Sequence, residues 1–142
     1  MPLAEFRRIV YPVARHIDAR IVAMQEAGAT PNFHVALLDA PERLGEPGRV
    51  CLLYSTDYDA WAAALPARMQ GEPDVDGSQL YEPRYLDHEG MMTAMAELHG
   101  IALWTSYELA QPVPADFPQR VRGDLAYWRP QRLGDALFNG WD

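Results

Sequence analysis

The first hydrophobic pattern along the chain is helical. Between residues 4 and 27, apolar side chains recur every three or four positions, the spacing that places them on one face of an α-helix. These residues are Phe6, Val10, Val13, Ile17, Ile21 and Met24. Pro12 lies inside the pattern and should kink or split the helix, because proline has no backbone N–H to donate. The sequence therefore predicts a long N-terminal helix that ends near Gly28.

Two short apolar runs, residues 33–38 and 49–54, follow this helix and have the composition of buried strands. The residues between them include Pro41, Gly45, Pro47 and Gly48, which are typical of a turn-rich loop. An antiparallel pair of strands is the natural prediction. The single cysteine, Cys51, lies in the second run and should behave as a small buried hydrophobic group.

Two further helices are predicted in the middle of the chain. Thr56 and Asp59 have the spacing of a capping box and should begin a short helix with Trp61, Leu65 and Met69 on one face. After a loop over residues 71–86, Asp87 is a suitable N-cap for a methionine-rich helix. Gly100 should end that second helix.

The last third of the chain contains one predicted strand and one predicted helix. Residues 101–109 alternate between apolar and polar positions, which favours a strand. A terminal helix should begin at Pro130. The resulting order, α-β-β-α-α-β-α, predicts an α+β fold in which about four helices pack on a small antiparallel sheet. At 142 residues, the chain is expected to be a single domain over residues 1–142.

The net charge of −8 is concentrated in residues 72–118, where nine acidic residues face Arg84 alone. Residues 1–71 carry seven arginines against eight acids, and residues 119–142 carry four against three. A one-sided negative field attracts a basic surface and accelerates encounter with it. Nucleic acid is not expected as a partner, because contacts with phosphates require a basic stripe.

Motifs of catalysis and metal binding are missing from the sequence. His88 and Glu89 begin like a zinc-protease helix, but Met92 stands where the second histidine ligand is required. We therefore expect no catalytic residue, no metal site and no cofactor. One cysteine cannot form an internal disulfide, which suits a reducing compartment. No apolar run is long enough to be a signal peptide or a membrane span, so the predicted location is cytoplasmic.

Acidic residues interleaved with aromatic residues have the composition of a surface that meets Arg and Lys side chains, since aromatic groups supply contact area and carboxylates supply charge. The predicted contact residues are Asp57, Asp59, Trp61, Asp74, Asp76, Tyr81, Tyr85, Asp87 and Glu89. Folding should gather these carboxylates into one exposed anionic patch. A solvated acidic face that keeps the protein soluble is the alternative explanation.

The end of the chain reads Arg-Pro-x-x-Leu-Gly-Asp-x-Leu-Phe-Asn-x-Trp-Asp from Arg129 to Asp142. It resembles the closing segment of the immunity proteins encoded beside contact-dependent and type VI toxins of bacteria. The resemblance implies a small cytoplasmic protein without catalysis that binds a cognate toxin tightly. It assigns no functional residue, and Leu133, Leu137, Phe138 and Trp141 are also the residues that would attach a terminal helix to the core.

Three functions remain open at this point. The first is an immunity protein that neutralises a toxin by covering a basic site with acidic residues 72–89, Asp57 and Asp59. The second is a small cytoplasmic enzyme or ligand-binding domain with a pocket lined by carboxylates and aromatic rings. The third is a subunit of a larger assembly, with an apolar patch near Trp61 or Trp104.

Overall fold

The computed structural model of the chain describes residues 1–28, 31–66, 83–118 and 130–139. Within these ranges the fold is α+β with an antiparallel sheet, as the sequence predicts. The helices are α1 (Leu3–His16), α2 (Glu89–His99), α3 (Ser106–Ala110) and α4 (Leu133–Leu137). The strands are β1 (Arg20–Gln25), β2 (Phe33–Asp39), β3 (Arg49–Ser55), β4 (Ala60–Leu65) and β5 (Arg84–Tyr85).

The sheet is an antiparallel meander in which the spatial order β1-β2-β3-β4-β5 equals the order along the chain. The predicted pair of apolar runs is confirmed as β2 and β3. Their register runs without a break from Phe33 opposite Ser55 to Asp39 opposite Arg49. Strands β1 and β5 form the edges of this sheet, so β2, β3 and β4 are covered on both sides by neighbouring strands.

Two hydrophobic cores lie on opposite faces of the sheet, because successive strand residues point to opposite sides. Helices α1 and α2 cover one face, where Phe6, Met91 and Leu52 are buried together. Helices α3 and α4 contribute to the other face, where Leu109 and Phe138 are buried. Burial on both faces explains why β2 and β3 are largely apolar rather than alternating.

The predicted N-terminal helix is too long. Helix α1 ends at His16, Asp18 adopts a left-handed φ of 56°, and the chain then forms β1. A β-bulge between Ile21 and Ala23 inserts an extra residue, which places Ile21 and Met24 on the same face of the sheet. Ile21 and Met24 are three positions apart on one face, which is also a spacing found on one face of a helix. The apolar pattern of α1 therefore continues in the sequence beyond the end of the helix and into β1. Pro12 is accommodated inside α1.

The predicted short helix after Thr56 is wrong, because residues 60–65 form β4. The run Ala-Trp-Ala-Ala-Ala-Leu favours a helix by intrinsic propensity. Trp61 and Ala63 instead face one core, while Ala62 and Ala64 face the other. Small alanines allow helices to approach both faces of β4, and this tertiary packing overrides local propensity. Met69 lies outside the described residues.

The methionine-rich helix is confirmed as α2, and Gly100 ends it with a left-handed φ of 65°. Its N-cap is His88 rather than Asp87, because His88 Nδ1 accepts a hydrogen bond from the Met91 backbone N–H at 3.1 Å. The side chain of Asp87 instead accepts two hydrogen bonds from Ser106.

The predicted strand over residues 101–109 is also wrong. Trp104 forms one isolated bridge with Ala62, and residues 106–110 form α3. Thr105 and Glu108 make a reciprocal capping box, a local signal that outweighs the alternating pattern. The terminal helix begins at Leu133 rather than at Pro130. In the described residues the elements follow the order α-β-β-β-β-β-α-α-α, which differs from the predicted α-β-β-α-α-β-α.

The two ends of the sheet carry different connections, and we name them by these connections. The turn end holds residues 56–59, which join β3 to β4, and the loop end holds residues 40–48, which join β2 to β3. Strand β3 has seven residues, so the two ends lie about 20 Å apart.

Candidate functional site

Two of the predicted contact carboxylates, Asp57 and Asp59, lie together in the turn between β3 and β4. Asp57 Oδ2 accepts a hydrogen bond from Asn32 Nδ2 at 3.0 Å. Asp59 Oδ1 accepts one from the Tyr54 hydroxyl at 2.6 Å, and Asp59 has a left-handed φ of 51°. Aspartate tolerates this backbone region better than most residues. Both carboxylates are therefore held in place by donors of their own chain.

The hydroxyl of Tyr54 remains a donor to Asp59 across the physiological range. Burial raises the pKa of Tyr54, and the hydrogen bond to the Asp59 carboxylate raises it further. The negative charges of Asp59 and Glu5 act in the same direction. Because the phenol stays protonated, its hydroxyl orients the Asp59 carboxylate.

Asp87 and Glu89 lie on either side of the N-cap of α2. Asp87 accepts hydrogen bonds from the backbone N–H and the hydroxyl of Ser106, both at 2.8 Å. Glu89 is exposed in the first turn of α2, where the helix dipole favours a negative charge. In the described part of the chain, none of Asp57, Asp59, Asp87 and Glu89 forms an ion pair with arginine.

The described carboxylates do not gather into one patch, contrary to expectation. Asp57 and Asp59 lie at the turn end of the sheet. Glu89 lies at the loop end, because the next residue, Gly90, donates its backbone N–H to Glu46 of the β2–β3 loop. Asp87 is anchored to Ser106 beside the β5 edge. The antiparallel topology separates the two groups by the length of β3.

The aromatic members of the predicted surface are structural in the described part of the chain. Trp61 is 4% exposed and stacks on Phe6 with a centroid distance of 5.6 Å, so it does not supply contact area to a partner. The Tyr85 hydroxyl donates to the Gly134 carbonyl at 3.0 Å, and its ring contacts Phe138. Burial raises the pKa of Tyr85 as well.

The glycine of the C-terminal motif has a packing role. A Cβ at Gly134 would lie 2.5 Å from Tyr85 Cε2, which is shorter than real contacts allow. Leu133, Leu137 and Phe138 are all buried in the core beside it. The motif thus attaches α4 to the sheet, as the packing explanation of these residues predicts. Trp141 and the predicted contact residues Asp74, Asp76 and Tyr81 lie outside the described residues.

A cleft that the sequence analysis missed lies at the loop end of the sheet. It has a volume of about 210 Å³, and its walls include Arg43, Glu46, His88 and Gly90. His88 is 2% exposed, and its Nε2 lies 3.7 Å from Glu46 Oε2. Glu46 and His88 are 42 positions apart, so no spacing along the chain could have paired them.

A second, more open cleft of about 430 Å³ lies near β5 and α3. Its walls include Tyr85, Ser106 and two arginines, Arg84 and Arg132. This composition differs from the predicted pocket of carboxylates and aromatic rings. Trp61 is buried and Trp104 is partly buried, so neither ring is fully exposed in the apolar patch expected for an assembly subunit.

Cys51 is not suited to nucleophilic chemistry, because burial raises its pKa from 9.0 to about 12. The thiolate is the reactive form, so this shift lowers the reactive fraction at pH 8 about a thousandfold. We expect iodoacetamide to alkylate the native protein about a thousandfold more slowly than the denatured protein. Equal rates, measured by mass spectrometry in buffer and in guanidinium chloride, would contradict this prediction.

The described residues contain neither a cluster of metal-ligating side chains nor a helix that could span a membrane. No group of three or more His, Cys, Asp or Glu side chains there could hold a metal ion. None of the helices in the same ranges has the length and apolar character to span a bilayer.

Comparison of the chain with protein-family models, with curated proteins and with solved structures finds no match.

Proposed function

We propose that this chain is an immunity protein that binds a cationic bacterial toxin and covers its basic surface. The observation that carries the proposal is the uncompensated charge of Asp57, Asp59, Asp87 and Glu89, which have no arginine partner in the described ranges. The C-terminal resemblance points to the same class of protein. Such carboxylates complement the positive charge of a basic site on a toxin.

The turn end is the contact surface in this proposal. Asp57 and Asp59 are fixed by Asn32 and Tyr54, so binding does not have to immobilise them. Each carboxylate can accept further hydrogen bonds after these contacts. Preorganised acceptors of this kind suit the guanidinium and ammonium groups of a basic partner.

The acidic segment, residues 72–89, contributes long-range attraction in this proposal. It lies in the part of the chain that carries the net charge of −8, and Glu89 places its last carboxylate at the loop end. A surplus of negative charge accelerates encounter with a cationic protein without requiring direct contact. We therefore expect Asp57 and Asp59 at the turn end to affect the dissociation rate constant, and the acidic segment to affect the association rate constant.

The first experiment identifies the partner from the neighbouring genes. A gene for a secreted toxin directly upstream is the expected result, and co-expression of this chain should restore growth to cells that produce that toxin. A metabolic operon, or no protection against the neighbouring toxin, would contradict the proposal.

The second experiment separates contact from attraction by charge-neutralising variants. The pair D57N and D59N keeps an acceptor for Asn32 and Tyr54 but removes two charges, so we expect dissociation from the toxin about tenfold faster. Neutralising Asp74, Asp76 and Glu89 with amides should instead slow association at low salt. Stopped-flow and surface plasmon resonance measure both rates.

The matched control is the pair D39N and D135N, which removes the same charge from carboxylates that already pair with Arg20 and Arg132. We expect its dissociation rate to equal that of the wild type. If this control accelerates dissociation as much as the Asp57 and Asp59 pair does, the turn end is not the contact surface.

A further inference from the structure

The cleft at the loop end is lined by His88, and one ring nitrogen of this histidine makes no hydrogen bond within the described residues. His88 Nδ1 accepts from the Met91 backbone N–H at 3.1 Å. His88 Nε2 has no hydrogen bond within the described residues; its nearest charged neighbour is Glu46 Oε2 at 3.7 Å, beyond hydrogen-bond range. The ring is 2% exposed and lines the cleft. Because this nitrogen is open to the cleft, either water or a ligand that enters the cleft can form a hydrogen bond with it.

The hydrogen bond at Nδ1 determines which form of His88 faces the cleft. Because Nδ1 accepts a hydrogen bond from the Met91 backbone N–H, Nδ1 carries no proton, and the ring proton is on Nε2. His88 Nε2 is therefore a donor in this tautomer. A nitrogen that carries a proton has no free lone pair for a metal ion. The ligand atom that contacts His88 Nε2 is therefore a hydrogen-bond acceptor.

Glu46 supplies the complementary acceptor. Its Oε1 accepts from the Gly90 backbone N–H at 3.0 Å, which fixes the carboxylate against the first turn of α2. Its Oε2 has no hydrogen bond within the described residues and faces His88. Arg43 is also among the residues that line the cleft, and it forms no ion pair in the described ranges. The cleft thus offers a hydrogen-bond donor at His88 Nε2 and an acceptor at Glu46 Oε2, with Arg43 in its wall.

We propose that this cleft binds a small carboxylate that carries an ammonium or hydroxyl group on the adjacent carbon, that is, an α-amino or α-hydroxy acid. The ligand carboxylate accepts from His88 Nε2–H and from Arg43. The adjacent ammonium or hydroxyl group donates to Glu46 Oε2. Two polar groups on neighbouring carbons match a donor and an acceptor that lie 3.7 Å apart. A volume of about 210 Å³ admits a ligand of a few carbons.

This site is independent of toxin binding at the turn end, because β3 separates the two. The loss of one function would leave the other in place. The two proposals therefore succeed or fail separately.

L-alanine and L-lactate are the probes, and propionate is the matched control because it has the same chain length without the donor group. Each is titrated into the full-length protein while NMR follows the His88 ring nitrogens and the Gly90 and Met91 amides. We expect saturable shifts with L-alanine or L-lactate and binding of propionate at least about tenfold weaker. The probe that binds with the higher affinity shows whether the donor group of the ligand is an ammonium or a hydroxyl group.

Two variants assign the binding to the cleft. Glu46→Gln keeps an oxygen for the Gly90 N–H but loses the acceptor at Oε2, so the affinity should fall about tenfold. Gly90→Ala would place a methyl group 3.4 Å from His88 Cε1 and 3.7 Å from Glu46 Oε2, which are ordinary contacts. This methyl should block the ligand while the melting temperature stays equal or rises, since alanine favours helices.

Glu89→Gln is the control variant, because Glu89 is an exposed carboxylate in the same first turn and is not among the cleft residues. It should bind the probe as the wild type does. Unchanged His88 signals with both probes would show that the cleft holds solvent alone, and the proposal would be wrong. Equal affinity for propionate, or equal affinities of the Glu46→Gln and Glu89→Gln variants, would also overturn it.

Discussion

Replacing Trp61 with alanine is expected to lower the free energy of unfolding by about 3–5 kcal/mol. The indole is 4% exposed, and its ring lies 5.6 Å from Phe6 and 4.7 Å from Tyr54 between centroids. Alanine would remove these contacts and leave a cavity between α1 and the sheet. Because a domain of this size is stable by about 5–15 kcal/mol, the loss is a large share of the total.

Urea denaturation followed by circular dichroism measures this effect. Tyr107→Ala is the control, because Tyr107 is 75% exposed in α3 and its truncation should change stability by less than about 0.5 kcal/mol. The comparison also tests whether Trp61 acts as a buried core residue. A W61A protein that keeps wild-type stability but loses toxin binding would restore Trp61 as a contact residue.

Replacing Asn32 with alanine is expected to lower the free energy of unfolding by about 2–4 kcal/mol. Asn32 Nδ2 donates to Asp57 Oδ2 at 3.0 Å and to the Leu137 carbonyl at 3.2 Å. Asn32 Oδ1 accepts from the Asn139 backbone N–H at 2.8 Å. One side chain thus joins the start of β2, the turn end and the C-terminal end of α4 with the segment that follows it, and its removal leaves buried polar groups without a partner.

Denaturation measures the loss, and hydrogen exchange locates it. The Asn139 amide should exchange much faster in the variant, because its hydrogen bond to Asn32 Oδ1 is gone. Gln111→Ala is the control; it removes an exposed amide that donates to the Tyr107 carbonyl at 3.1 Å and should change stability little. Wild-type stability and exchange in N32A would contradict the proposed role of this network.

Local sequence signals predicted some elements correctly. The apolar runs of β2 and β3 and the glycine that ends α2 were identified because each is specified by residues close together in the chain. The interpretation failed at β1, β4 and residues 101–109. At β1 a bulge reproduced helical spacing, and at β4 small residues with high helix propensity are required by packing on both faces.

The candidate sites were less accessible to sequence reasoning than the fold. The charge imbalance and the residues that carry it were visible, but their separation to two ends of the sheet follows from the order of the strands. No sequence pattern indicates that Glu46 and His88 lie close together, because their proximity depends on the packing of α2 against the β2–β3 loop. Trp61 looked like a contact residue from composition and became a core residue when β4 formed.

By itself, the sequence determined the α+β class, the central antiparallel pair, the burial of Cys51 and the acidic character of the chain. These properties depend on composition and on contacts between nearby residues. The tertiary structure alone decided that the described carboxylates are held apart, that Trp61 is buried and that His88 faces Glu46 across a cleft. Such features arise from contacts between residues far apart in the chain, which no local pattern encodes.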